Sequence, residues 1–273
     1  MFEMINLYPI RKFGFPIIAE CINPDIFDGK NHKEIEDLKI WEGNKQKRLG
    51  EVFKVEETGK EQETTIIVCG DVGKVRRIGA YMISGRIKIN GDVGMHLGEE
   101  MEGGKITVHG NVGGWAGSMM KGGTIEIHGN TSHYLSAPYR GTGRGMRGGK
   151  IIVYGNVGNE AGAYMRKGLI KIYGNAGQFA GLRMHKGTIY IQKDCEERVG
   201  ACMTGGKIVV GAFLESVLPT FTIESIKKKV KIEEKIVKGP FYLFLGDLTE
   251  NGKGKLYVSK EKNPQLSDYE KFL

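Results

Sequence analysis

Between Thr65 and Val210, apolar residues recur at every second place in runs of four or five, and glycine brackets most of the runs. The runs are TIIVCGDVG from Thr65, RIKINGDVG from Arg86, KITVHGNVG from Lys105, TIEIHGNTS from Thr124, KIIVYGNVG from Lys150, LIKIYGNAG from Leu169, TIYIQKDCE from Thr188 and KIVVGAFLE from Lys207. Their starts lie 21, 19, 19, 26, 19, 19 and 19 residues apart, so the period is nineteen with two local insertions. Alternation with period two marks a strand with one buried face. Such short strands cannot bury that face alone, and nineteen residues leave no room for a helical crossover. Stacking each copy on the last pairs every strand. The pattern therefore predicts an all-β chain, a single-stranded right-handed parallel β-helix of about seven to eight 19-residue coils with irregular capping segments; the pattern itself does not encode the hand.

A compact unit, G-x-x-M-x-x-G-x-I-x-[IV]-x-G, recurs from Gly79, Gly98, Gly117, Gly143 and Gly162, with weaker copies from Gly181 and Gly200. Equivalent positions of stacked coils lie about 4.8 Å apart, so each becomes a column. One interior column is Ile66, Ile87, Ile106, Ile125, Ile151, Ile170, Ile189 and Ile208. Another is Met82, Met101, Met120, Met146, Met165, Met184 and Met203, read as flexible core filler rather than a thioether metal site. Gly70, Gly91, Gly110, Gly129, Gly155 and Gly174 are expected at corners where φ is positive or no Cβ fits. Cys69, Asn90, His109, His128, Tyr154, Tyr173 and Gln192 form an outward column in which His109 and His128 are neighbours. No carboxylate or thiolate is spaced to complete a metal site with them.

Composition narrows the alternatives. Glycine supplies 42 of 273 residues without the every-third-place rule of collagen, and 40% hydrophobic content excludes a disordered chain. Three regions are expected: a cap over 1–64 with a short helix near His32 to Leu38, repeats over 65–212, and a second cap over 213–273. The start of the chain has no apolar run followed by a small-residue cleavage site, and eighteen apolar residues never run together. A cytoplasmic protein with no membrane partner is the expectation. Cys21, Cys69, Cys195 and Cys202 form no CxxC pair and are read as reduced. The net charge is +8, and lysines gather in runs outside the repeats, as in IKKKVKIEEKIVK, where glutamates interrupt the run. A solvated face fits this better than nucleic acid.

Candidate chemistry concentrates in the longer insertion, within NTSHYLSAPYRGTGRGMRGGK. Gly143, Gly145 and Gly148 match G-x-G-x-x-G, but a strand follows where a dinucleotide site needs a helix. Tyr139, Arg140, Arg144 and Arg147 are residue types enriched in interface hot spots, and they make this loop the candidate partner interface. No catalytic, cofactor-binding or metal-ligating residue is assigned.

The glycine-methionine unit, the insertion YRGTGRGMRGG and an N-terminal INPDIFDGK followed by WEGN resemble the C subunit of formylmethanofuran dehydrogenase from methanogenic archaea. The repeat is also similar to the glycine-rich β-helix of the glutamate synthase large subunit. That family's amidotransferase region is absent here, and Phe2 stands where its nucleophilic cysteine would be. The resemblance implies a structural subunit of an oxidoreductase complex that reversibly reduces CO2 and attaches it to methanofuran as a formyl group. Tungsten or molybdenum pterin, iron-sulfur clusters and an amidohydrolase-type metal centre would belong to partner subunits. A free-standing carbohydrate-active β-helix enzyme or a glutamate-synthase-like structural domain remains the alternative, although for the former the outward places Ile67, Lys88, Thr107, Glu126, Ile152, Lys171 and Tyr190 show no catalytic cluster.

Overall fold

The computed structural model describes residues 2–273. The chain is mostly β. In order, its strands are β1 Phe2–Pro9, β2 Ile17–Ile18, β3 Lys39–Glu42, β4 Lys45–Arg48, β5 Phe53–Glu61, β6 Thr65–Cys69, β7 Val75–Arg76, β8 Arg86–Asn90, β9 Lys105–Val108, β10 Thr124–Ile127, β11 Lys150–Val153, β12 Leu169–Ile172, β13 Thr188–Ile191, β14 Lys207–Val210, β15 Thr222–Ile232, β16 Lys235–Gly246 and β17 Gly254–Ser259. Two short helices, α1 Pro24–Phe27 and α2 His32–Glu36, lie near the N-terminus. Asn31 caps α2, its side chain accepting from the Glu34 N–H while the Glu34 carboxylate accepts from the Asn31 N–H.

One 13-stranded sheet runs β15-β16-β17-β14-β13-β12-β11-β10-β9-β8-β6-β1-β5. From β1 to β17 its neighbours are parallel and in register, with Ile5, Ile66, Ile87, Ile106, Ile125, Ile151, Ile170, Ile189, Ile208 and Leu256 in one column. All ten are fully buried, as are the seven repeat methionines. The terminal segments thus supply rungs of their own, Met4 to Leu7 beside β6 and Lys255 to Val258 beside β14.

Two further strips join the copies. Val72, Val93, Val112, Thr131, Val157, Ala176, Cys195 and Leu214 form a line of parallel bridges. Along the methionine column, Lys121 N–H donates to Met101 C=O, Arg166 to Met146 and His185 to Met165. A side-chain ladder reinforces the line of bridges. The Oδ1 atoms of Asp92, Asn111, Asn130, Asn156, Asn175 and Asp194 each accept from a backbone N–H one copy further on, at 2.7 to 3.3 Å. These residues follow the corner position directly, and each bond satisfies an N–H that the turn would otherwise leave without a partner.

The corner glycines divide by cause. Gly70 has φ +112°, whereas at Gly110 the limit is space, since a Cβ would lie 2.4 Å from the Gly91 carbonyl. Left-handed backbone is also carried by side-chain-bearing residues: Arg77, His96, Trp115, Tyr134, Glu160, Phe179 and Arg198 share one column with φ between 59° and 67°. Such a conformation costs about 1–3 kcal/mol per residue. Ring stacking along this column offsets part of it, with Trp115 4.4 Å from Tyr134 and 5.4 Å from His96.

The long hairpin β15–β16 serves the sheet in two ways. Its base, Phe241 to Gly246, pairs with β17. Its tip reaches Lys150, four rungs from Lys255 and about 19 Å away at the inter-strand spacing. Val230, Ile232 and Phe241 of the hairpin pack with Leu169 and Val209 of the strands it covers. Lys171, an outward place by the alternation, is instead buried under the tip, where its ammonium donates to Glu233 at 2.7 Å.

Candidate functional site

The insertion follows the corner residue rather than preceding it, as letter matching would have it. Ser136, not Gly143, continues the corner column of Gly79, Gly98 and Gly117: its φ is 60°, and its N–H donates to Ala116 as the Gly117 N–H donates to Leu97. The seven extra residues are therefore Pro138 to Arg144, after which Met146 rejoins the methionine column and the Arg147 N–H bonds the Met120 carbonyl. The strand β11 follows, so the G-x-G-x-x-G letters open no helix.

The loop folds back over earlier copies. Tyr139 donates its hydroxyl to Glu99 Oε1 at 2.7 Å, and its ring tilts against His96 at 5.3 Å. The other Glu99 oxygen accepts from Arg77 Nη1 at 2.8 Å. Arg77 also pairs with Glu20 in the N-terminal segment and lies 5.8 Å from the centre of the Tyr81 ring. One buried carboxylate thus ties together residues drawn from Glu20 to Tyr139. Glu99 is only 1% exposed and stands where the neighbouring copies carry the small residues Ala80, Ser118 and Ala137.

The electrostatics follow from burial. Burial raises the Glu99 pKa above the ordinary carboxylate range, while the bonds from Tyr139 and Arg77 act in the opposite sense. Burial, aided by Arg77 and Arg76, lowers His96 to about 4. At neutral pH His96 is uncharged, and its 3.5 Å approach to Glu99 is not an ion pair. Burial also pushes the Tyr139 phenol up, with the bond to Glu99 adding to it. Arg77 stays a cation because Glu99 and Glu20 outweigh the burial that opposes its charge. A buried carboxylate bonded by Tyr139 and by the Arg77 guanidinium ties the loop to the earlier copies.

The four residues assigned to a partner interface separate. Tyr139 is half-buried and serves as the anchor rather than as part of the outer surface. Arg147 is half-buried and lies 3.7 Å from Glu100. Arg140 and Arg144 are exposed, with no ion-pair partner among the described residues. Arg166 donates to the Gly143 carbonyl and fixes the far end of the loop. Between loop and rod a cavity of about 200 Å³ is lined by Trp115, Tyr134, Tyr139, Arg140, Glu160 and Tyr164. Arg77, His96 and Glu99 were not singled out in the sequence; Glu99 in a column of small residues is the signal that could have found them.

Elsewhere, His109 and His128 stack at 4.9 Å, and Tyr154 and Tyr173 continue the stack. Among the described residues no three His, Cys, Asp or Glu side chains are grouped to hold a metal. The cysteines are unpaired, and burial pushes the thiols of Cys21 and Cys195 up to about 12, which makes them inert at neutral pH. Among the described residues no helix is long and apolar enough to cross a membrane.

Comparisons with known proteins place this architecture. No family model matches the chain. The C subunit of the tungsten-containing formylmethanofuran dehydrogenase 2 of Methanococcus maripaludis is 47% identical over 260 residues, covering 92% of this chain and 94% of that protein. The C subunit of the molybdenum-containing formylmethanofuran dehydrogenase 1 of Methanothermobacter marburgensis is 46% identical over 92 residues, and the match spans only 23% of its length. Among solved structures, a chain of the formyltransferase/hydrolase complex from Methylorubrum extorquens, determined with methylofuran, superposes with a TM-score of 0.83 at 26% identity, over 93% of this chain and 99% of that one. A stacked-strand subunit of a one-carbon enzyme complex is the class to which these relatives point. The chain belongs to the family of formylmethanofuran dehydrogenase C subunits.

Proposed function

We propose that this chain is a structural subunit of a cytoplasmic formylmethanofuran dehydrogenase complex, which reversibly reduces CO2 and fixes it on methanofuran as a formyl group, and that it carries no catalytic residue itself. The end-to-end identity to the C subunit of a tungsten-containing enzyme carries this reading. In it, residues 65–212 wind as a single-stranded right-handed parallel β-helix, with 1–64 and 213–273 as caps. Support comes from the three strips of hydrogen bonds that join successive copies around the turn. The tungsten or molybdenum pterin, the iron-sulfur clusters and the amidohydrolase-type metal would be held by partner subunits. What supports this division is that the four cysteines are scattered and unpaired and that His109 and His128 stack on one another and on Tyr154. The exposed Arg140 and Arg144, set on a loop that Tyr139 pins, form the proposed partner contact.

Purification of the native protein with metal analysis tests the reading. Co-elution with partners that contain tungsten or molybdenum is expected, and a complex rebuilt with His109→Ala should keep nearly full activity. A free monomer with sugar-directed activity, or loss of catalysis in a folded His109→Ala complex, would overturn it.

A further inference from the structure

The small sheet β4-β3-β2-β7 has an outer face on which Trp41 and Ile18 stay exposed. Ile17 and Ile40 fill its inner side and are buried. On the outer side Ile18 stands directly opposite Trp41, Arg76 lies beside Ile18, Gln46 stands opposite Trp41, and Lys39 flanks Trp41 one pleat away. Trp41 is 45% exposed and Ile18 38%. Phe15, 66% exposed, packs beside Gly43 where β3 ends. Next to it a concavity of about 630 Å³ opens between the Arg11–Phe15 loop and the β3–β4 turn, lined also by Lys45 and Lys47. Trp41 and Ile18 side by side on one sheet face, with Phe15 exposed beyond its edge, make a surface of the kind that anchors protein interfaces.

The charges around this patch say what fits it. Lys39, Lys45 and Arg76 have no ion-pair partner among the described residues, while Glu42 is already neutralised by Arg11 and Lys47 at 2.8 and 2.7 Å. A second copy would bring the same cations against them, and the chain carries +8 overall. An acidic partner meets no such repulsion. The patch is also coupled to the insertion loop: Glu20, two residues beyond Ile18, pairs with Arg77, which holds Glu99 and through it Tyr139.

We infer that the Ile18–Trp41 face is a second docking surface, shaped for a neighbouring protein subunit that offers an apolar pocket rimmed by aspartate and glutamate. The inference rests on the reading of the chain as a subunit of a larger assembly. Hydroxyl-radical footprinting of the full chain, free and in its complex, reads it directly: Trp41 modification should fall at least fivefold on assembly. In reconstitution, Trp41→Ala and Lys39→Glu/Arg76→Glu should each weaken association at least tenfold without lowering the melting temperature. If Trp41→Ala lowers that temperature, the wild-type footprint decides. Arg140→Glu/Arg144→Glu probes the loop separately. If that variant weakens assembly while Trp41 stays equally reactive in the complex, the second surface is refuted and the subunit reading stands. If the wild-type chain assembles with no partner, both fall. Protection of Trp41 only by phosphatidylglycerol vesicles, or only in a self-associated form of the free chain, would also refute the inference.

Discussion

His96 is held neutral by the burial that also makes the Glu99 charge costly, and the two meet where Tyr139 anchors its loop. The depressed histidine has a definite pH signature. The unfolded chain takes up this proton near pH 6.5, the folded chain only near pH 4, so between those values the unfolded state binds more protons and stability falls as pH falls. The expected loss is about 1–3 kcal/mol across that window. His96→Gln should flatten this part of the profile, as measured by denaturant unfolding at successive pH values; an unchanged slope would show that His96 is not the group responsible. Residue types in the insertion were legible from sequence, and their orientation was not. Tyr139 turns inward because Glu99, forty residues earlier in the chain, offers an acceptor that only the stacking of copies brings within reach.

Among the elements, the short strands were the most readable, because alternation at a fixed period leaves a strand one way to bury its isoleucines. The hairpin β15–β16 was readable only in part. GPFYLFLGDL has the composition of a strand, yet nothing local says that the outer half of its hairpin leaves the sheet and lies back over β11 to β14. Glu233 decides that, closing on Lys150 at 3.0 Å and on the buried Lys171 at 2.7 Å. The two lysines in turn hold the Glu233 carboxylate below its usual range. Glu233→Gln removes the counter-charge of a buried ammonium, and the expected cost is about 1–3 kcal/mol. Hydrogen exchange should show faster opening confined to residues 227–238; uniform exchange across the chain, or none, would argue against a latch.

At the scale of the whole molecule the sheet has two free edges, β5 and β15, and both carry charge. Lys227, Lys228, Lys229 and Lys231 lie on the edge strand β15, and Glu56, Glu57 and Glu61 on β5. Charged edges of this kind discourage end-to-end pairing between copies. Replacing Lys227, Lys229 and Lys231 by threonine should produce concentration-dependent association in sedimentation velocity; a variant that sediments as the parent does would show that the hairpin fold alone blocks the edge.

The nineteen-residue period by itself determined the strands, the isoleucine and methionine columns and the in-register parallel neighbours, because one repeated burial pattern has one way of pairing with itself. Together with the insertion YRGTGRGMRGG and the N-terminal INPDIFDGK and WEGN, it also carried the resemblance to the family. What only the tertiary structure decided are the contacts between unlike positions: the Glu99 anchor, the hairpin latch and the open face around Trp41. Each depends on a residue that the period does not specify, Glu99 within the repeats and Glu233 and Trp41 outside them, and a periodic pattern carries no information about how far such a residue reaches.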